Sequence, residues 1–116
     1  MKLNELLKFD LTLKLVKNPE WPEEILAISA LDGLYENSFI FIKNGKFLEK
    51  FLPHLELARK QKLGLIIDEK FYSLTNAEFK AQIETLPWII TSPNIPLSLT
   101  VLSKPFYDLK TKGMNT

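Results

Sequence analysis

The chain predicts an α/β fold, a small mixed or parallel sheet flanked by helices, and three observations predict it. Short apolar runs bounded by turn residues recur at 25–29, 39–43, 63–67 and 88–91, each the length of a buried strand. Between two of them the apolar spacing changes to the helical i, i+3, i+4, i+7, most clearly at Leu48, Phe51, Leu52 and Leu55. Alternation of the two periods is the pattern of helices packed on a sheet. A chain of 116 residues, 46% of them apolar, suffices for one core and not for two. We therefore expect a single domain over residues 1–109, with 110–116 tail-like in composition.

Taken in order, Leu3, Leu6 and Leu7 fall at helical spacing, and Leu11, Leu13 and Leu15 then alternate with Thr12, Lys14 and Val16. A first helix thus leads into a first strand. Asn18-Pro19-Glu20-Trp21-Pro22 sustains neither period, because each proline removes a donor and restricts the residue before it. It is a loop, with Trp21 expected as a lid over the core's edge. Ile25 to Ser29 forms a second strand and Leu31-Asp32-Gly33-Leu34 a turn. The run from Ser38 to Lys43 is a third strand that stops at Asn44-Gly45, where a helix begins. Pro53 inside that helical pattern demands a kink, or a restart with proline in the first turn.

Leu63 to Ile67 is a fourth strand, ended by Asp68-Glu69 as a solvated turn. Thr75-Asn76-Ala77-Glu78 has the capping-box form, a hydroxyl reaching forward and a carboxylate back, and opens a helix to about Leu86. Trp88 to Thr91 is a further strand. Ser92-Pro93-Asn94 supplies a turn and an N-cap for a last helix from about Pro96 to Leu102, extended toward Tyr107 if Pro105 is tolerated.

Several function classes are excluded by composition. A formal charge of +1 argues against a general nucleic-acid binder. The absence of cysteine removes disulfides, thiolate metal sites and a cysteine nucleophile, and suits the cytoplasm. Glu5, Lys8 and Asp10 interrupt the apolar N-terminus, so it lacks the continuous centre of a signal peptide. The longest uncharged run, Thr85 to Ser103, is broken by Pro87, Pro93 and Pro96 and is not a membrane span. One histidine and no cysteine leave no metal-ligand set, and neither a phosphate-binding glycine loop nor a dinucleotide fingerprint occurs. His54 falls on a polar helix flank without a serine or an orienting carboxylate beside it. No catalytic residue, metal or cofactor is expected.

What remains is the strand exit. Phe41, Asn44 and Phe47 recur every three residues across it, and an amide flanked by two rings can hold a flat polar ring. Phe47 lies about 75° from the centre of its helix's apolar stripe, so one ring face packs and the other stays accessible. The segment from Lys43 to Lys62 carries six basic residues against Glu49 and Glu56, a local net of +4. Lys43, Lys46 and the free backbone amide of Gly45 are the candidate phosphate contacts. The residues by themselves leave simple core packing of Phe41 and Phe47 as the alternative.

Phe41-Ile42-Lys43-Asn44-Gly45-Lys46-Phe47 resembles the Phe-x-x-Asn-Pro-Lys-Tyr motif in the N-terminal domain of UDP-3-O-acylglucosamine N-acyltransferases, enzymes of bacterial lipid A biosynthesis. The neighbourhood agrees in order: Ile25 to Leu34, Leu63 to Ile67 and Trp88 to Asn94 are similar to the family's flanking strands and turns. The resemblance implies that Phe41 and Phe47 sandwich the uracil of a UDP-sugar and that Asn44 bonds its edge. Phe47 stands where tyrosine is usual, and Gly45 replaces a proline. Members of the family continue into a left-handed β-helix of hexapeptide repeats, which carries the catalytic histidine, the trimer and the acyl-carrier-protein contacts. No such repeats are present here. The resemblance therefore implies a uridine-nucleotide-binding module with no acyl transfer of its own and no obligate trimer, whose partner in a longer protein would be a repeat domain or an acyl carrier protein. Ala58 to Ile66 and Phe106-Tyr107 are also similar to the N-terminal domain of Mur ligases, but the Asp-Ser-Arg of that domain is missing and Ser29-Ala30-Leu31-Asp32 replaces it poorly. A protein-interaction domain of the same fold, with no ligand, is the third reading.

Overall fold

The computed structural model describes residues 1–17 and 24–114; Trp21 lies outside them. Twelve elements follow in order: α1 Leu3–Phe9, β1 Lys14–Lys17, β2 Ala27–Ile28, β3 Ser38–Ile42, α2 Gly45–Phe51, a 3₁₀ turn Leu52–His54, α3 Leu55–Lys60, β4 Gly64–Asp68, α4 Glu69–Leu74, α5 Ala77–Ile83, β5 Ile89–Ser92 and α6 Ile95–Met114. The strands form one five-stranded mixed sheet in the order β1-β5-β4-β3-β2. β2 to β5 run parallel, and β1 closes the sheet antiparallel to β5. Every residue of β3 and β5 is buried, whereas β1 is exposed along most of its length. That contrast is what two-sided helical cover at the centre and an edge position dictate.

Side-chain parity divides the interior. Along β3, Phe39 and Phe41 enter one cluster with Leu6, Trp88, Leu102 and Phe106, while Ile40 and Ile42 enter the other with Leu48, Phe51, Leu65 and Ile67. The connections from β3 to β4 and from β4 to β5 pack on the second face, and α1 and α6 cover the first. Each fully buried Phe, Ile or Leu contributes about 1.5–3 kcal/mol, so both layers are needed. Gly64 is fixed by the first layer: a Cβ there would stand 1.9 Å from Cε2 of the Trp88 indole.

The structure corrects five local expectations. The first strand starts at Lys14 rather than Leu11, because the Asp10 carboxylate accepts from the Thr12 amide at 3.0 Å and hydroxyl at 2.5 Å, making a turn that leaves Leu11 85% exposed. The second strand shrinks to Ala27–Ile28. Asp68 and Glu69 do not form a solvated turn: Asp68 caps α4, accepting from the Phe71 amide at 2.9 Å. The capping box is displaced by one residue, since Asn76 and not Thr75 caps α5, accepting from the Phe79 amide at 2.8 Å. The last helix starts at Ile95, contains Pro105, and its backbone runs through the tail-like stretch to Met114. At Pro53 the chain takes the restart: the proline sits in the first turn of the 3₁₀ segment between α2 and α3. No helix among the described residues is long and apolar enough to cross a membrane.

Candidate functional site

The carboxyl edge of the parallel strands is where an open α/β sheet presents loops and helix starts to a ligand. Ile42 is in register with Ile67, and Asp68 with Ser92, so the residues that follow β3, β4 and β5 line this edge side by side. Each of these strands delivers a helix whose first turn is capped by a side chain: Asn44 for α2, Asp68 for α4, and Asn94, which accepts from the Leu97 amide at 3.1 Å, for α6.

At the β3 exit, the oxygen of Asn44 accepts from the Phe47 amide at 2.9 Å, and its backbone carbonyl accepts the first helical bond from Leu48 at 3.1 Å. An oxygen engaged in this way points the identity of the amide: the remaining two donors belong to Nδ2, on an exposed residue. Phe47 is half-buried and packs against the second cluster, leaving part of its ring accessible, as its helical angle requires. Lys43 and Lys46 are exposed and enter no ion pair among the described residues. His54 is exposed on the 3₁₀ turn.

Phe41 is placed differently. It is 8% exposed in the first cluster, edge-on to Phe39 at a centroid distance of 5.4 Å. The three side chains nominated by the sequence share the strand exit, but the two rings belong to clusters on opposite faces of the sheet. The ring that does touch the Asn44-Gly45 turn is Phe71 of α4, whose Cε1 lies 3.3 Å from where a Gly45 Cβ would stand. Its sequence signal is an acidic cap, Asp68, followed three residues later by an aromatic, and the Asp68-Glu69 pair masks that signal because it suits a turn equally well.

That signal recurs. Asn44 and Phe47, Asp68 and Phe71, and Asn76 and Phe79 are three instances of one arrangement, a capping side chain bonded to the amide of a phenylalanine three residues on, with the ring half-buried against the second cluster. The cap bond itself sets the spacing, since an N-cap oxygen reaches the amide of the third helical residue. The spacing of a capping residue three before a phenylalanine thus has a structural cause at all three places, two with asparagine and one with aspartate as the cap.

One buried carboxylate adjoins the same edge. Asp10 accepts from the Ser98 hydroxyl at 2.6 Å, and Ser98 meets Ser92 at 2.6 Å, whose hydroxyl oxygen accepts from the Asn94 amide at 3.2 Å. Burial pushes the Asp10 carboxyl up, but the bonds from Ser98 and Thr12 outweigh it and hold the group below its ordinary value. With Ser92 and Ser98 fully buried and bonded to each other, the chain of hydroxyls fastens the α1–β1 turn to α6 and offers no exposed nucleophile. The groove formed by α3 and α5, about 600 Å³, is lined by none of the nominated residues. No protein-family model matches the chain, and no curated protein matches it at a significant level.

Proposed function

We propose that this domain is a uridine-nucleotide-binding module of the kind found in UDP-acylglucosamine N-acyltransferases, engaging a UDP-sugar at the β3 exit without catalysing acyl transfer. The observation that supports it is Asn44. Of the three residues that precede a phenylalanine by three and cap its helix, it alone is flanked, at the end of a parallel strand, by two exposed lysines, Lys43 and Lys46, that enter no ion pair among the described residues. The accessible part of Phe47 takes the base, Nδ2 of Asn44 donates to a carbonyl oxygen on its edge, and the two lysines, with the Gly45 amide, face the phosphates. Phe41 acts from the core, supporting the turn. A repeat domain or an acyl carrier protein is the partner this reading entails, and the cysteine-free composition fits the cytoplasm.

Stacking on one ring is worth about 1–3 kcal/mol, which with a single edge contact gives an affinity of about 1 mM or weaker. The test is an amide-shift titration with UDP-N-acetylglucosamine beside its cytidine counterpart, on the native chain and on Asn44→Ser. Serine keeps the cap oxygen and removes both amide donors, so it separates recognition from folding. Saturating shifts at Gly45 and Phe47, a preference for uridine, and loss of that preference in Asn44→Ser are the expected result. The burial of Phe41 and the recurrence of the cap-to-phenylalanine arrangement favour a second reading, a non-binding interaction domain. About 10 mM uridine nucleotide, tenfold above 1 mM, moving no resonance near Gly45 would decide for it.

A further inference from the structure

The groove between α3 and α5, about 600 Å³, is broad and open to solvent, so a ligand seated in it keeps part of its surface in water. Its floor is apolar, from Leu52, Leu55 and Ala81, and Leu52 and Leu55 are half-buried against the second cluster, so the core fixes their positions. Its polar groups are few: Arg59 and Glu56 from α3, Gln82 from α5, and Thr85, whose hydroxyl is already engaged in donating to the Gln82 carbonyl at 2.7 Å. Arg59 is the only arginine of the chain and enters no ion pair among the described residues, Glu56 standing 3.9 Å from Lys60 instead. A guanidinium presents a rigid fork matched to a carboxylate or a phosphate. Glu56 decides between the two. Its charge in the same groove opposes a second negative charge, and a phosphate monoester brings nearly two where a carboxylate brings one.

We propose that this groove binds a small monocarboxylic acid with an apolar body, the carboxylate on the fork of Arg59, the Gln82 amide as a neutral donor beside it, and the body on Leu52, Leu55 and Ala81. The site is separate from the β3 exit and does not depend on nucleotide binding there.

The test is an amide-shift titration of the whole chain with octanoate, beside octanamide and a short peptide with an apolar, free C-terminus. Octanoate should give saturating shifts at Arg59, Ala81 and Gln82, and octanamide should bind at least about tenfold more weakly, because it lacks the charge the fork recognises. Arg59→Lys, which keeps the charge and loses the fork, should weaken octanoate by about tenfold, and Arg59→Gln by more. Arg59 is exposed, so an unchanged unfolding temperature in both variants verifies the fold. Shifts that do not saturate, that octanamide reproduces, or that survive Arg59→Gln would overturn the proposal. So would a peptide that binds more tightly than octanoate, because the groove would then be a peptide-terminus site.

Discussion

The two faces of the sheet are packed from different materials. Under α1 and α6 the layer is centred on four rings set among leucines and isoleucines: Phe39 lies edge-on to Phe41 at 5.4 Å and to Phe106 at 5.3 Å, and is tilted against Trp88 at 5.9 Å. Under α2 to α5 the sheet contributes Ile40, Ile42, Leu65, Ile67 and Ile89, Phe51 of α2 is fully buried among them, and Phe47, Phe71 and Phe79 stand half-buried at the margin. The rings of β3 are therefore core on the first face, whereas on the second every ring comes from a helix and all but Phe51 stand at the border. The strand's period of two sets this division, because Phe41 shares a face with Phe39 while the turn at Asn44 carries the chain onto the opposite layer.

The largest effect that could break this comparison is the pair Phe41→Ala and Phe47→Ala. Removing a ring from the aromatic layer should cost about 3–5 kcal/mol, and removing the marginal ring less than half of that, as read from denaturant midpoints. Equal losses would mean that Phe47 is as much core as Phe41. Gly64→Ala follows, at the upper end of the about 1–3 kcal/mol typical of overpacking. Its Cβ would meet the Trp88 indole at 1.9 Å, and the indole is fully buried against Phe39. Combining it with Trp88→Leu, which vacates that space, should restore part of the loss. No recovery in the double variant would place the strain in the backbone of β4.

Ser98→Ala tests the polar clasp at the edge of the aromatic layer. A hydrogen bond to a charged group is worth about 1.5–3 kcal/mol, and Ser98 donates one to Asp10. Because the Asp10 carboxyl is held below its ordinary value, this stabilisation is fully present above the unfolded-state pKa and is lost as the pH falls through the lower, folded one. The difference between the native chain and the Ser98→Ala variant should be largest at neutral pH and shrink in acid to what the bond between Ser98 and Ser92 contributes. A difference that does not shrink with falling pH would show that the charge of Asp10 contributes nothing to the clasp.

The legibility of this chain in its sequence follows the same division. The α/β fold was readable because β3, β4 and β5 are continuous apolar runs of strand length, and α2 carries a regular stripe. Which face each ring would join was not, because a strand buried on both sides has no polar face to orient it. Helix α4 was hidden by its brevity, six residues, and by an Asp-Glu pair that serves a turn as well as a cap. The Thr75-Asn76 offset arose because both residues cap well, and only the structure shows which amide is in reach. The close approach of Trp88 to Gly64 joins positions with no local signal. At the candidate site the spacing of Asn44 and Phe47 was legible, but its cause, helix capping, became visible only once the same arrangement appeared at Asp68 and Asn76.

The smallest expected effect addresses that cause directly. Asn44→Ala removes the oxygen that accepts from the Phe47 amide and should cost about 1 kcal/mol, the usual value of an N-cap. Asn44→Ser retains a cap oxygen and should cost only a few tenths. Asn76→Ala and Asn76→Ser should show the same pair of values, since Asn76 holds Phe79 in the same way on the same face. If the two positions agree in stability, capping accounts fully for the presence of asparagine at 76, and any ligand effect found at 44 alone belongs to recognition. If Asn44→Ser instead stabilises the domain relative to the native chain while Asn76→Ser does not, then the amide at 44 is retained against stability. A group retained against stability is the expected mark of a binding residue, so this comparison of unfolding free energies weighs the nucleotide reading without any ligand present.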